Sequence, residues 1–325
     1  MTERRGITPS NMRTLSSWIL SLCLCAAILY HLRNDQEKLL QILTINPLHL
    51  LLLSTLCAAL FLPSALSRKL MAERLGIRLA FFDWYGLLMV TNLISLVVPA
   101  RGDLAVSALY LRKKYDLPIT HFISMLYGST ILLTVCLSVT GVICLVLVAA
   151  EGLSPGVYVV GIIAAIGVLS FFLGWLPPGL LRGESWFMKR LRAALEGWKH
   201  LRSDGILMTQ LTMLSLSGIA LFSLWMFASY RMLGFEVRVL PSTVAGVVVL
   251  MSFFVSVTPG NLGIREALLG FTSQVLGLGF AEGVAVTLLQ RAVSILVFLG
   301  LGGLFGIFIM RSLIPPLERE EGKES

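Results

Sequence analysis

Long apolar runs separated by short polar stretches dominate this chain. A helix needs about 20 predominantly apolar residues to cross the hydrocarbon core of a bilayer. Six runs fit that length as full spans: 14–32, 46–66, 118–150, 156–176, 206–231 and 283–310. Two further apolar stretches, 79–98 and 241–258, run into Pro and Gly and then into charged residues. The pattern predicts that each breaks and returns as a short helix, giving helical hairpins over 79–114 and 241–278. The first run follows Arg4, Arg5 and Arg13, as a signal peptide would. Its apolar core is long, no small-x-small site precedes the polar run at 31–38, and further spans follow. It is expected to be a retained first helix.

Charge placement distinguishes a hairpin from a span. Were 79–98 a full span, Arg112, Lys113 and Lys114 would fall outside, against the excess of Lys and Arg normally found on the cytoplasmic side. With six full spans and two re-entrant hairpins, both termini are cytoplasmic. Nineteen of the 26 basic residues then lie inside and four outside, with Arg101, Arg265 and Arg291 at membrane depth. Eight full spans are the alternative arrangement.

The segments fall into two units of similar length, 46–150 and 206–310, each reading span, hairpin, span. One starts outside and the other inside, which makes them an inverted repeat within a single integral membrane domain. The hairpin tips rhyme: Pro99-Ala100-Arg101-Gly102-Asp103 against Pro259-Gly260-Asn261-Leu262-Gly263-Ile264-Arg265-Glu266. Inverted repeats with interrupted helices meeting near the midplane are a transporter signature, because a broken helix presents free N–H groups and a positive dipole end in a low dielectric. The plainer reading is a pair of tolerated Pro-Gly kinks.

Composition agrees with an all-α polytopic membrane protein. Apolar residues make up 56% of the 325 and charged residues 14%, and the mean hydropathy is +0.85. The net charge of +8 follows from topology rather than from nucleic-acid binding. The five cysteines lie in apolar stretches with no metal or disulfide spacing, and the four histidines are scattered, so no metal site or cofactor is expected. No nucleophile–base pattern or nucleotide loop suggests an enzyme.

The candidate substrate-binding residues are Arg101, Asp103, Gly260, Gly263, Arg265, Glu266 and Arg291. An Arg at membrane depth costs about 2.5–3.5 kcal/mol on insertion scales, so each needs a partner or water. Asp103 and Glu266 suit the positive ends of the return helices, with the adjacent arginines Arg101 and Arg265 as counter-ions. Gly260 to Gly263, opening a helix, is a candidate anion nest whose N–H groups at 262–265 are available to a phosphate. Arg291 either snorkels outward or faces the second hairpin and adds a guanidinium. Gly302 and Gly306 form a GxxxG suited to helix packing. Within a cytoplasmic linker, 180–205, residues Phe187, Leu191, Ala194, Leu195, Trp198 and Leu201 recur at helical spacing opposite Lys189, Arg190, Arg192 and Lys199, which predicts an amphipathic helix lying on the anionic leaflet.

At the second hairpin the sequence resembles a widespread family. Thr258-Pro259-Gly260-Asn261-Leu262-Gly263-Ile264-Arg265-Glu266-Ala267-Leu268, then Leu276-Gly277-Leu278 and Leu289-Gln290-Arg291, is similar to the lysylphosphatidylglycerol synthase transmembrane (flippase-like) family. Asn92 to Asp103 looks like that family's other motif. The resemblance implies a cytoplasmic-membrane protein that moves or handles lipids, and no synthase domain is expected to be fused to it. Asp103 stands where the family usually has Glu, and Tyr127-Gly128-Ser129 where members often carry an acidic–basic pair, so lysyl-lipid specificity does not follow.

The leading expectation is a lipid flippase or lipid transporter holding an anionic or aminoacylated head group at the hairpin tips. Membrane phospholipids are the expected partners, with a homo-oligomer and a separate lipid-modifying enzyme as further candidates. The alternatives are a secondary transporter of a small anion and an accessory membrane protein of glycolipid or polysaccharide assembly.

Overall fold

A computed structural model describes residues 45–96, 102–152, 157–177, 179, 185–252 and 261–313. The expected first span, 14–32, and the site candidates Arg101 and Gly260 lie outside the described residues. The described chain is helical throughout, with no strand among those residues: α1 (Pro47–Arg74), a π-helical turn (Phe82–Gly86) continuing into α2 (Leu87–Ser95), α3 (Gly102–Tyr115), α4 (Ile119–Ala150), α5 (Val157–Gly174), α6 (Trp186–Arg202), α7 (Gly205–Met232), α8 (Val239–Ser252), α9 (Ile264–Val275), α10 (Phe280–Val297), a second π-helical turn (Phe298–Gly302) and α11 (Gly303–Leu313).

Four helical stretches are long and apolar enough to cross a membrane: Pro47–Arg74, Ile119–Ala150, Gly205–Met232 and Phe280–Met310. Their outward positions, Leu48, Leu51, Val139, Ile143, Ile206, Met213, Leu299 and Ile307 among them, are exposed apolar side chains, as a lipid-facing surface requires. The α5 helix has 18 residues. The chain is a multi-pass membrane protein.

Local chemistry sets the helix ends. Asn46 caps α1, accepting the Leu48 N–H at 2.9 Å, with Pro47 at the first position where no N–H is needed. Asp204 caps α7 in the same way through the Leu207 N–H at 3.0 Å. The expected tips fall largely outside the described residues: 97–101 between α2 and α3, and 253–260 between α8 and α9. In each case the two arms pack against each other.

The last long helix is shared between the two breaks. Its first half, α10, packs on α9 closely enough that a Cβ on Gly283 would lie 2.5 Å from the Leu269 carbonyl. Its second half packs on α2, where a Cβ on Gly302 would lie 2.9 Å from the Met89 carbonyl. The GxxxG pair therefore meets the first hairpin, and the contact at Gly302 is made by the last residue of the π-helical turn. The main core joins α1, α2, α4, α7, α8, α9 and α10 around Leu53, Met89, Leu145, Met226, Val249, Leu269 and Leu289.

The amphipathic helix α6 departs from expectation in what covers its apolar face. Ala194, Leu195, Trp198 and Leu201 are buried against protein, chiefly α4, rather than turned to a leaflet. The Trp198 ring occupies the gap at Gly128, where a Cβ would collide with it, and Trp198 Nε1 donates to the Gly174 carbonyl at 3.1 Å. Helical spacing showed that a face is apolar; it could not distinguish a helix partner from lipid.

Candidate functional site

The second break ends in a turn that only special residues can make. Asn261 (φ 54) and Gly263 (φ 83) are both left-handed, a region open to Gly and tolerated by Asn. Asn261 Nδ2 donates to the carbonyl of Ser252, the last residue of α8, at 3.2 Å and so straps the two arms across the break. Helix α9 then starts at Ile264.

Glu266, in the first turn of α9, accepts the Gly263 N–H on Oε2 at 2.8 Å. Its other oxygen, Oε1, receives Arg291 from α10 through Nη2 at 2.7 Å and Nε at 2.9 Å, a two-point charge-assisted contact. The direct ion pair of Glu266 is made with Arg291 of α10 rather than with its sequence neighbour Arg265, because consecutive residues on a helix project in different directions. Glu266 sits at the positive end of α9, as expected, and takes up the Gly263 N–H of the candidate anion nest. Arg291 points inward to Glu266 and does not snorkel.

Arg265 turns to the other side of α9. Its Nη2 donates to Gln290 Oε1 at 2.7 Å, and Gln290 Nε2 donates to Ser229 Oγ of α7 at 3.2 Å and faces Met226 Sδ at 3.5 Å. Ser294, one turn after Gln290, donates to its carbonyl at 2.7 Å and lies 3.8 Å from Cys57 Sγ of α1. Arg265 is 7% exposed, Glu266 4% and Gln290 1%, so the network is interior to the helix bundle. These named groups comprise two guanidiniums and one carboxylate. Gln290 and Ser229 were not singled out from the sequence; a Gln beside an Arg in an apolar span was the one available signal.

The first break carries different chemistry. Asp103 lies in the first turn of α3, where a carboxylate favours the positive helix end, and it is electrostatically coupled to Arg68 of α1. Farther along, Asp83 of the first π-helical turn is 2% exposed and accepts hydrogen bonds from Tyr110, Tyr115 and Lys114, with Lys114 Nζ at 2.7 Å. Burial works against the Asp83 charge, but the Lys114, Tyr110 and Tyr115 donors prevail and hold its carboxyl below the usual range. Burial likewise opposes the charge on Lys114, and the contacts with Asp83 and Tyr110 push it up to about 12. This clasp ties the outer ends of the two arms together. Helix α1 runs on to Arg74 and brings Arg68 into contact with the packed bundle.

The model of the family described as the lysylphosphatidylglycerol synthase TM region matches residues 18–302. The chain belongs to this family. The match covers both breaks and the Glu266–Arg291 contact, and it places the protein among membrane proteins of lipid metabolism or transport. The matching description names the transmembrane region of the synthase, not a synthase domain. No curated protein and no solved structure matches. At Tyr127-Gly128-Ser129 the residues serve packing: Gly128 accommodates Trp198, and the Tyr127 hydroxyl donates to the Leu173 carbonyl at 2.7 Å.

Proposed function

We propose that the protein is a lipid translocase of the cytoplasmic membrane that holds the anionic or aminoacylated head group of a phospholipid near the tips of two re-entrant hairpins. The observation that carries this reading is the buried group of Arg265, Glu266, Gln290 and Arg291 at the start of a short helix inside an apolar bundle. Ionisable groups at such depth are costly and mark substrate paths. The two guanidiniums suit a phosphate, which would add to Arg265 and Arg291 without displacing the Glu266 cap. Asp103 at the other tip would meet a cationic aminoacyl group, and Arg101 and Gly260 belong to the same two tips.

Packing of the arms supports re-entry. Arms that pack on each other and are joined by Pro- and Gly-bearing segments fit hairpins entering from opposite faces. That arrangement gives the inverted repeat over 46–150 and 206–310 and keeps both termini cytoplasmic. The mechanism that follows is alternating exposure of the tip region, with the head group moving through the protein while the acyl chains stay in the bilayer.

The test begins with mass spectrometry of lipid that copurifies with the protein. Reconstitution in liposomes with fluorescent anionic, aminoacylated and neutral lipids then gives translocation rates. The expected result is faster movement of anionic or aminoacylated lipid, with the preference lost in Arg265→Gln. Equal rates for the whole panel, or uptake of a soluble anion with no lipid movement, would overturn the reading.

A further inference from the structure

The corner between α5 and α6 uses none of the residues assigned to the hairpin tips. Three side chains hold the end of α5 there. Trp198 Nε1 and Arg202 Nη1 of α6 both donate to the Gly174 carbonyl, and the Tyr127 hydroxyl of α4 donates to the Leu173 carbonyl. Carbonyls in the last turn of a helix have no partner within it, so these contacts satisfy groups that would otherwise be bare. The Arg202 guanidinium also lies over the Trp175 ring, 5.4 Å from its centre, and Trp175 stacks on Phe171 at 4.6 Å. Arg202 is thereby fixed at the level where the apolar helix ends.

Two surfaces of different character meet at this corner. On α5, Val168, Phe172 and Trp175 recur at intervals of four and three residues and are all exposed, which makes an apolar stripe leading up to Arg202. On α6, the apolar face is taken by α4, and Lys189, Arg192, Glu196 and Lys199 recur on the side away from Trp198. That side carries three cations against one carboxylate. Lys69, Arg74 and Lys114 are paired with Glu73, Asp204 and Asp83. Lys189, Lys199 and Arg202 have no carboxylate partner among the described residues.

We propose that this corner is a binding site for one anionic phospholipid of the cytoplasmic leaflet, kept as a fixed lipid and not transported. The inference rests on α5 crossing the bilayer with Trp175 at its cytoplasmic surface, as in the topology above. The phosphate is held by Lys199 and by the Arg202 N–H groups that the Gly174 carbonyl leaves free, with Lys189 adding charge farther along α6. One acyl chain lies along Val168 and Phe172. Only a phospholipid matches both parts, because a soluble anion leaves the apolar stripe uncovered and an acidic protein cannot follow it into the bilayer. Trp at the head-group level with basic side chains above it is the arrangement that anionic leaflets favour. Helix α5 packs chiefly on α4, so a head group shared by Lys199, Arg202 and Trp175 ties its end to α6.

The test is native mass spectrometry of the full chain in detergent, titrated with phosphatidylglycerol and with phosphatidylcholine. The wild type should prefer phosphatidylglycerol, and the preference should fall by about a factor of ten in Lys199→Gln combined with Arg202→Gln. Lys189→Gln combined with Lys199→Gln breaks none of the contacts that hold α5 and should also weaken it, which separates lost binding from a loosened fold. Arg112→Gln combined with Lys113→Gln, exposed cations at the end of α3, is the control and should leave the preference unchanged. An equal loss in that control means that diffuse charge attracts the lipid and overturns the proposal. It is overturned equally by a wild type without preference, or by inorganic phosphate displacing the lipid at equal concentration. Arg265→Gln should leave this binding intact; a loss there and not in the α6 variants assigns the lipid to the hairpin tips and overturns the proposal. The readout needs no translocation, so its failure leaves the translocase reading standing, and failed translocation leaves this one standing.

Discussion

Glu266 and Arg291 come from different helices, 25 residues apart, and meet at 2.7 Å with one carboxylate oxygen receiving two guanidinium nitrogens. The other oxygen stays on the Gly263 N–H. One side chain therefore fixes both the start of α9 and its position against α10, and each partner is exposed if the other is removed.

Arg291→Ala should cost about 3–5 kcal/mol of stability, because it leaves Glu266 charged and buried without its cation. Arg291→Ala combined with Glu266→Gln should be less damaging than the single change, since the neutral amide can still accept the Gly263 N–H. Thermal unfolding in detergent ranks the two; a double variant less stable than the single one contradicts the pairing.

Gln290→Glu sets a carboxylate beside Arg265 and lowers the charge of the group by one. Folding should persist, because the new side chain still accepts from Arg265. Selectivity for anionic over neutral lipid should fall severalfold in the reconstituted assay. Unchanged selectivity would place the head group away from Arg265.

Gly302→Ala puts a Cβ 2.9 Å from the Met89 carbonyl and should destabilise by about 1–3 kcal/mol through overpacking between α2 and the last helix. Gly303→Ala, where nothing lies within 4 Å of the new Cβ, is the control and should be neutral or slightly stabilising. Equal melting temperatures for the two variants would show that the close approach to the first hairpin is not maintained.

Reporters fused after Lys113, Lys199 and the C-terminus should all signal cytoplasm, and one at Glu151 the outside. The informative position is Lys113, at the end of the first return arm. A signal from the outer side there means that this arm completes a crossing, and the inverted repeat fails with it.

The sequence by itself determined the helical, membrane-embedded class, because each long apolar run carries its own solvent preference and its own backbone hydrogen bonds. It marked where the two hairpins are expected to turn, since Pro and Gly act locally on the helix that contains them. It also singled out Arg265, Glu266 and Arg291, because charge in an apolar run is visible without any partner. Only the tertiary structure decided who pairs with whom. Adjacency suggested Arg265 for Glu266, whereas the angular offset between consecutive helical residues sends one to Gln290 and the other to Arg291. The structure alone turned the apolar face of α6 onto α4, and it alone brought Arg68, Asp83 and Ser107 around one cavity. Periodicity reports which face of a helix is apolar or polar; what that face meets depends on packing between segments far apart in the chain.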